Sequence, residues 1–229
     1  MHSHMPMAHT IGIFIVGPSS TGKSTLCRAL EKYLVQEGLR VAHISEVART
    51  VMKQRGFTRD DVGTLAMQKA ILDAQIEAET KALESLERSI CNSEASNAPQ
   101  PSILICDRCA IDPSVYAEME LTADDIEILT GDLSYRLAVS RYGGNPARTH
   151  ESIDDIRRSS LIHSVVILTD GVEEWREDDG VRSLYDPWKV ADVFRRKLAA
   201  LRIPYHEVGE DMKDLGERIN WVVQLAGLE

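Results

Sequence analysis

No stretch of this 229-residue chain is both apolar and long enough to cross a bilayer. The only apolar run near the N-terminus, Ile11 to Val16, is also too short for the core of an export signal and is expected to be a buried strand. Cysteine is scarce. Cys27, Cys91, Cys106 and Cys109 make no disulfide framework and suit a reducing, cytoplasmic setting. Cys106 and Cys109 fit C-x-x-C formally, but no second pair or histidine cluster would complete a zinc site, and half of the spacing falls inside an expected buried strand. Positive charge is also short: 26 Lys and Arg stand against 36 Asp and Glu, for a formal net charge of -10. With no gathering of basic residues, such a surface repels a polyanion, so nucleic acid is not an expected partner. A single nucleotide held by backbone amides stays compatible. The sequence has no internal repeat and no N-K-x-D motif for reading guanine.

What the chain does contain is alternation. Short β-type apolar runs at Ile11–Val16, Val41–Ile44, Ile103–Cys106, Val165–Leu168 and Tyr205–Val208 are separated by helical patterns. That pattern predicts an α/β fold, a doubly wound five-stranded parallel sheet with helices on both faces. Leu26, Leu30, Tyr33 and Leu34 recur at helical spacing, with Gly38 as a stop; Leu65, Leu72, Ile76, Leu83 and Leu86 mark a second, long helix. Asn92 to Ser102 reads as a surface loop, and Asp112-Pro113 as an N-cap followed by first-turn proline. One helical stretch is expected from about Ala123 to Val139, before a break at Gly143 to Pro146, and closing helices from Pro187 to Leu201 and Asp214 to Ala226. Residues 1–9, with His2, His4 and His9, are expected to be a disordered tail, and 10–229 a single domain. Asp170 to Tyr185 is charged and aperiodic, and reads as a mobile lid rather than core.

The most specific signal is Gly17-Pro18-Ser19-Ser20-Thr21-Gly22-Lys23-Ser24-Thr25, a G-x-x-x-x-G-K-[ST] loop between an expected strand and helix. Its glycines let successive N–H groups of the loop turn toward one phosphate, Pro18 removing one amide at an early position that need not donate, and the helix adds its positive dipole end. Lys23 is expected to reach the β- and γ-phosphates of ATP, and the Ser24 hydroxyl to bind Mg²⁺. Asp107, at the end of the third strand, is the expected second acid of the Mg²⁺ shell; the alternative is a strand-terminal turn residue. Arg108 stands at the mouth of the same crevice. There it binds phosphate or acceptor by two parallel bonds, or pairs with Asp112 and stiffens the loop, or does both. Glu46 follows the second strand at the start of a helix containing Arg49. It is expected to accept a proton from an attacking hydroxyl or to bind the acceptor's hydroxyls, unless it is only a dipole-favoured helix acid. Gln68 and Gln75 interrupt an apolar stripe and either face the acceptor or mark a solvated boundary. In the lid, Arg182 first and Arg176 second are candidates to neutralise charge on the transferring phosphate. Trp175 covers a base or anchors the loop.

Taken together, the P-loop, Glu46 to Arg49, Asp107-Arg108 with Asp112, Trp175 through Arg182, and Ile203 to Val208 followed by Glu217-Arg218 resemble the NadR-like kinase domains, an AAA-labelled P-loop group related to ribosylnicotinamide kinase modules. The resemblance runs from Ile11 to about Val223. It implies a P-loop NTPase fold of nucleoside/nucleotide-kinase type, Mg-ATP as donor, and a nucleoside-like or other small hydroxylated acceptor; Glu46, Arg49, Gln68, Arg108 and Asp112 are the residues expected to meet that acceptor. The expected activity is transfer of the ATP γ-phosphate to a small-molecule hydroxyl. A nucleotide-dependent regulatory switch or ATPase is the alternative of a different class. No membrane partner is expected, and a homo-oligomer is compatible with the sequence.

Overall fold

A computed structural model describes residues 10–91, 100–143, 162–175 and 185–228. Five parallel strands, β1 (Thr10–Val16), β2 (Arg40–Ile44), β3 (Ser102–Asp107), β4 (Ile162–Thr169) and β5 (His206–Val208), lie in the order β2-β3-β1-β4-β5. The central strands β1 and β3 are buried at every position, as a parallel sheet covered on both faces requires. Alternate side chains then sort to opposite faces. Phe14, Val16, Leu104, Cys106, Val166 and Leu168 point to one side, and Ile11, Ile13, Ile15, Ile103, Ile105 and Ile167 to the other.

Helices α1 (Lys23–Gln36) and α8 (Leu215–Leu225) cover the isoleucine face, through Leu26, Leu30, Leu34 and Val222. The opposite face is covered by α3 (Leu65–Cys91), α4 (Ile111–Glu120), α5 (Ala123–Thr130), α6 (Leu133–Arg141) and α7 (Pro187–Ala200). Helix α2 (Val47–Arg55) packs Val51 and Met52 on Met67, Ala70 and Ile71 of α3, which makes a small side core beside the crevice. Among the described residues, no helix is long and apolar enough to cross a membrane.

Local chemistry moved some boundaries. The expected single helix from Ala123 to Val139 is two, because Asp132 turns out of the helix and its side chain accepts from Ser134 N at 2.8 Å, capping α6. Asp112 is not the N-cap of α4. Ala110 holds that place, and Asp112 sits in the first turn, where its Oδ2 accepts from Cys109 N at 3.0 Å. Strand β5 starts at His206 rather than Tyr205. Within the segment read as a lid, Val172 is buried and Asp170 N donates to Val208 O at 2.8 Å, so its start is docked on the sheet edge. Residues 176–184 of that segment, and 92–99 of the loop before β3, lie outside the described residues.

Candidate functional site

The crevice opens at the carboxyl ends of β1 and β3, beside the place where the chain reverses its winding direction. Strand β1 runs directly into the glycine-rich loop. Gly17 leaves it at φ 132, and a Cβ there would meet Thr169 O at 2.4 Å, so the loop is pressed against the end of β4. Gly22 closes it at φ 82, left-handed, as the N-cap of α1. Between them Thr21 Oγ1 lies 3.0 Å from Pro18 O and 2.6 Å from Thr169 Oγ1. Lys23 folds back into this cradle, donating to Pro18 O and, at 3.2 Å, to Thr21 Oγ1. Burial, and then the Arg108 guanidinium, press the Lys23 ammonium from an ordinary 10.5 down to about 7, against the pull of Asp107, Asp112 and Glu46. A phosphate would supply the missing countercharge.

Ser24, next on α1, donates from Oγ to Asp107 Oδ2. The register that sets Ile15 beside Asp107 brings the acid to the loop. Asp107 is 2% exposed, and its Oδ1 has no hydrogen-bond partner among the described residues. An orphaned carboxylate oxygen beside a serine hydroxyl is a hard, oxygen-only donor set, which fits Mg²⁺.

Arg108 follows in a left-handed conformation, φ 81, uncommon for a residue with a side chain. Its Nε donates to Glu46 Oε1 at 3.0 Å, and one terminal nitrogen donates to Asp112 Oδ1 at 2.9 Å and to Gly17 O at 3.3 Å. Glu46 also accepts from Arg49 Nε at 2.6 Å. Burial works to raise Glu46, but Arg108 and Arg49 outweigh it and hold the carboxyl at about 2. Asp112 moves the other way, raised by burial despite Arg108.

Beyond this ion cluster lies a cleft of about 560 Å³, open on one side, whose apolar wall includes Met52, Val62, Met67, Ile71, Pro113 and Tyr116. A second cleft of about 480 Å³ runs over the loop from Ser19 to Thr25. Ser19, Glu46, Arg49 and Arg108 line both, so one continuous groove joins the phosphate cradle to the apolar pocket.

A third cleft, about 810 Å³, adjoins the far side of the loop and includes Ser20, Gly22, Thr25, Trp175, Lys213 and Arg218. Trp175 stands over Gly22, where a Cβ would come 3.0 Å from the indole ring. Arg218 Cζ lies 4.7 Å from the Trp175 ring centroid, a cation–π contact. Its nitrogens donate to the carbonyls of Met212 at 2.5 Å, Gly209 at 2.9 Å and Thr21 at 3.3 Å, and burial lowers its pKa. Arg218 entered the sequence reading only as part of the family resemblance, with no role, and Lys213 not at all, because their neighbours in space are remote in the chain.

The structure therefore brings Ser19, Ser20, Thr21, Gly22, Lys23, Ser24, Thr25, Glu46, Arg49, Asp107 and Arg108 to one cleft, with Asp112 and Gln68 on the adjoining pocket. Gln68 Nε2 donates to Val62 O at 2.7 Å. Gln75 takes neither of the places expected for it: it is buried beneath Arg108, not on the pocket and not at a solvated boundary. Cys27, Cys106 and Cys109 are buried free thiols whose pKa values burial pushes up, away from reactivity. Arg176 and Arg182 lie outside the described residues.

Among known proteins, the family model described as an AAA domain matches residues 12–215. No curated protein matches the chain. Solved structures do: a NadR protein in complex with NR superposes with a TM-score of 0.64 at 21% identity, over 96% of this chain and 53% of that one. A NadR protein in complex with NAD and AMP-PNP gives 0.63 at 18% identity, over 96% of this chain and 51% of that one. The chain thus has their fold, that of a NadR-like P-loop protein, and spans about half of their length.

Proposed function

The chain belongs to the AAA domain family, and from that premise we propose that it is an ATP-dependent phosphotransferase that moves the γ-phosphate of ATP to a hydroxyl of a small, nucleoside-like molecule. The observation that carries this reading is the shared wall of the two clefts. An apolar pocket ends on Glu46 and Arg108, and these residues also border the phosphate cradle. A switch needs the cradle alone, whereas a transferase needs an acceptor pocket opening onto it. NR in one of the similar NadR structures, and NAD with AMP-PNP in another, support an acceptor of nicotinamide riboside type and a nucleoside triphosphate donor.

In this mechanism the backbone of Ser19 to Thr25 and the end of α1 hold the phosphates, and Lys23 leaves Pro18 O to meet them. Ser24 and Asp107 would hold Mg²⁺, which would neutralise charge on the phosphate oxygens. Arg108 lies on the line between the pockets and stabilises the charge of the phosphoryl group in transit. Glu46, kept ionised by two guanidiniums, is a weak base; its role is to accept the hydrogen bond of the attacking hydroxyl and orient it. The third cleft takes the donor's base against Trp175.

The test is ADP release from Mg-ATP across nucleosides including nicotinamide riboside, sugars and vitamins, with Lys23→Ala as the blank. One acceptor that stimulates release well above the blank supports the transferase. Tight ATP binding with a silent panel overturns it in favour of a regulatory nucleotide switch.

A further inference from the structure

A buried polar network lies under the site, and its side chains line none of the three clefts. Glu79, in the middle of α3, is 0% exposed. Its carboxylate accepts from Gln75 Nε2 at 3.1 Å, from Arg141 at 3.0 Å and from the Tyr142 hydroxyl, whose oxygen lies 2.7 and 2.9 Å from the two carboxylate oxygens. Burying so many polar atoms is tolerable only because they satisfy one another, and an apolar core would have served packing as well. Among the described residues, two side-chain hydrogen bonds lead out of the network, and both run to the segment that carries Arg108. Gln75 Nε2 also donates to Arg108 O at 3.3 Å, and the Tyr142 oxygen accepts from Ala110 N at 3.0 Å.

Arg108 is the part of that segment that needs support. At φ 81 an arginine sits in a sparsely populated conformation that persists only when its surroundings fix it. From the sheet side, Arg108 N donates to Ile15 O at 2.9 Å; from the helix side the support is Gln75. The amide can donate to Arg108 O only with its nitrogen turned that way. Glu79 enforces this, because the opposite orientation would set the amide oxygen against the carboxylate.

We infer that Gln75 and Glu79 are positioning residues that lock the left-handed backbone of Arg108 and thereby aim its guanidinium between the phosphate cradle and the acceptor pocket. The catalytic consequence rests on the phosphotransferase reading; the structural one does not, and the experiment separates them.

The structural arm follows hydrogen exchange at the Nε–H of Arg108 and of Arg218 by NMR, with Arg108→Lys identifying the first signal. Both protons are hydrogen-bonded, to Glu46 and to Met212 O, so each is the other's control. Gln75→Met keeps the side chain's volume and removes the donor. It is expected to speed exchange at Arg108 about tenfold or more and leave Arg218 within about twofold, since only the first loses its support. Glu79→Gln, which keeps the shape of the network, gives the same readout should Gln75→Met fail to fold. Equal acceleration at both arginines, or at neither, overturns the inference. In the kinetic arm, Gln75→Met lowers kcat roughly tenfold with KM for Mg-ATP nearly unchanged, and lowers it less than about twofold in an Arg108→Lys background. An equal loss in both backgrounds shows that Gln75 does not act through Arg108. A wild-type protein with no acceptor-stimulated turnover removes the phosphotransferase reading alone, and the exchange arm still decides the inference.

Discussion

Gly17→Ala and Gly38→Ala make the same chemical change at two left-handed or mirror-region positions, and the structure separates their consequences. At Gly38, φ 80, an added Cβ would meet nothing within 4 Å, so only backbone strain remains, about 1 kcal/mol at a helix end. At Gly17, φ 132, the same atom would sit 2.4 Å from Thr169 O, 2.7 Å from its Oγ1 and 3.2 Å from its N. None of this can be relieved by a flexible side chain, because the first and last of those atoms are backbone at the end of β4. Strain of about 1–3 kcal/mol at such a position is then joined by displacement of Thr169. Thr169 Oγ1 donates to Val16 O at 3.1 Å and lies 2.6 Å from Thr21 Oγ1, so moving it disrupts buried hydrogen bonds at about 1–3 kcal/mol for a group left unsatisfied. The expected loss for Gly17→Ala is about 4 kcal/mol against about 1 for Gly38→Ala, or roughly 10 °C against 3 °C in Tm for a chain of this size. Differential scanning calorimetry of the two variants beside wild type measures both. The second signature is functional: saturating Mg-ATP raises the Tm of wild type and Gly38→Ala, and fails to raise that of Gly17→Ala, whose cradle has moved. Equal melting points for the two variants would refute the close approach between loop and β4 on which the cradle depends.

Nucleotide affinity should depend on pH through Lys23. Its free pKa of about 7 rises on meeting phosphate, so binding takes up a proton, and the Kd for Mg-ATP is expected to climb by up to about tenfold per pH unit above 7 and to level off below it; calorimetric titrations from pH 6 to 8.5 read this, and a flat profile refutes it. Asp107→Asn keeps the acceptor of the Ser24 hydrogen bond but removes the charge behind the orphaned oxygen, so half-maximal turnover should require about tenfold or more Mg²⁺, an effect absent if Asp107 only turns the strand. Glu46→Gln removes an acceptor facing Arg108 and Arg49, and should lower acceptor-dependent turnover about a hundredfold while leaving the Kd for Mg-ATP within a few-fold; unchanged turnover would return Glu46 to a helix-terminal acid.

The parts of this site that a reader of the sequence can find are those whose cause is local. A glycine loop between an apolar run and an amphipathic helix is legible because the backbone requirement and the residue that meets it are the same few positions, Gly17 to Thr25. Asp107 is legible because a fully apolar run ends on it, and the parallel register carries any strand-end acid to the same edge. The split between α5 and α6 was hidden for the opposite reason: the apolar stripe continues across Gly131-Asp132, and only the Asp132 side chain, taking Ser134 N, marks the boundary. Glu79 was invisible because a glutamate in a charged helix looks solvated, and its partners Arg141 and Tyr142 are 62 and 63 residues away. Arg218 is further still, bonding Thr21 O across 197 residues. Arg108 stands between the two cases. Its identity and its pairing with Asp112 were readable, but nothing in an arginine announces a left-handed backbone, and that conformation is what turns its guanidinium toward Gly17 O and Glu46. The sequence therefore reveals which side chains line the candidate site where local backbone chemistry presents them, and conceals the buried polar groups that hold such a residue in a conformation it would not otherwise keep.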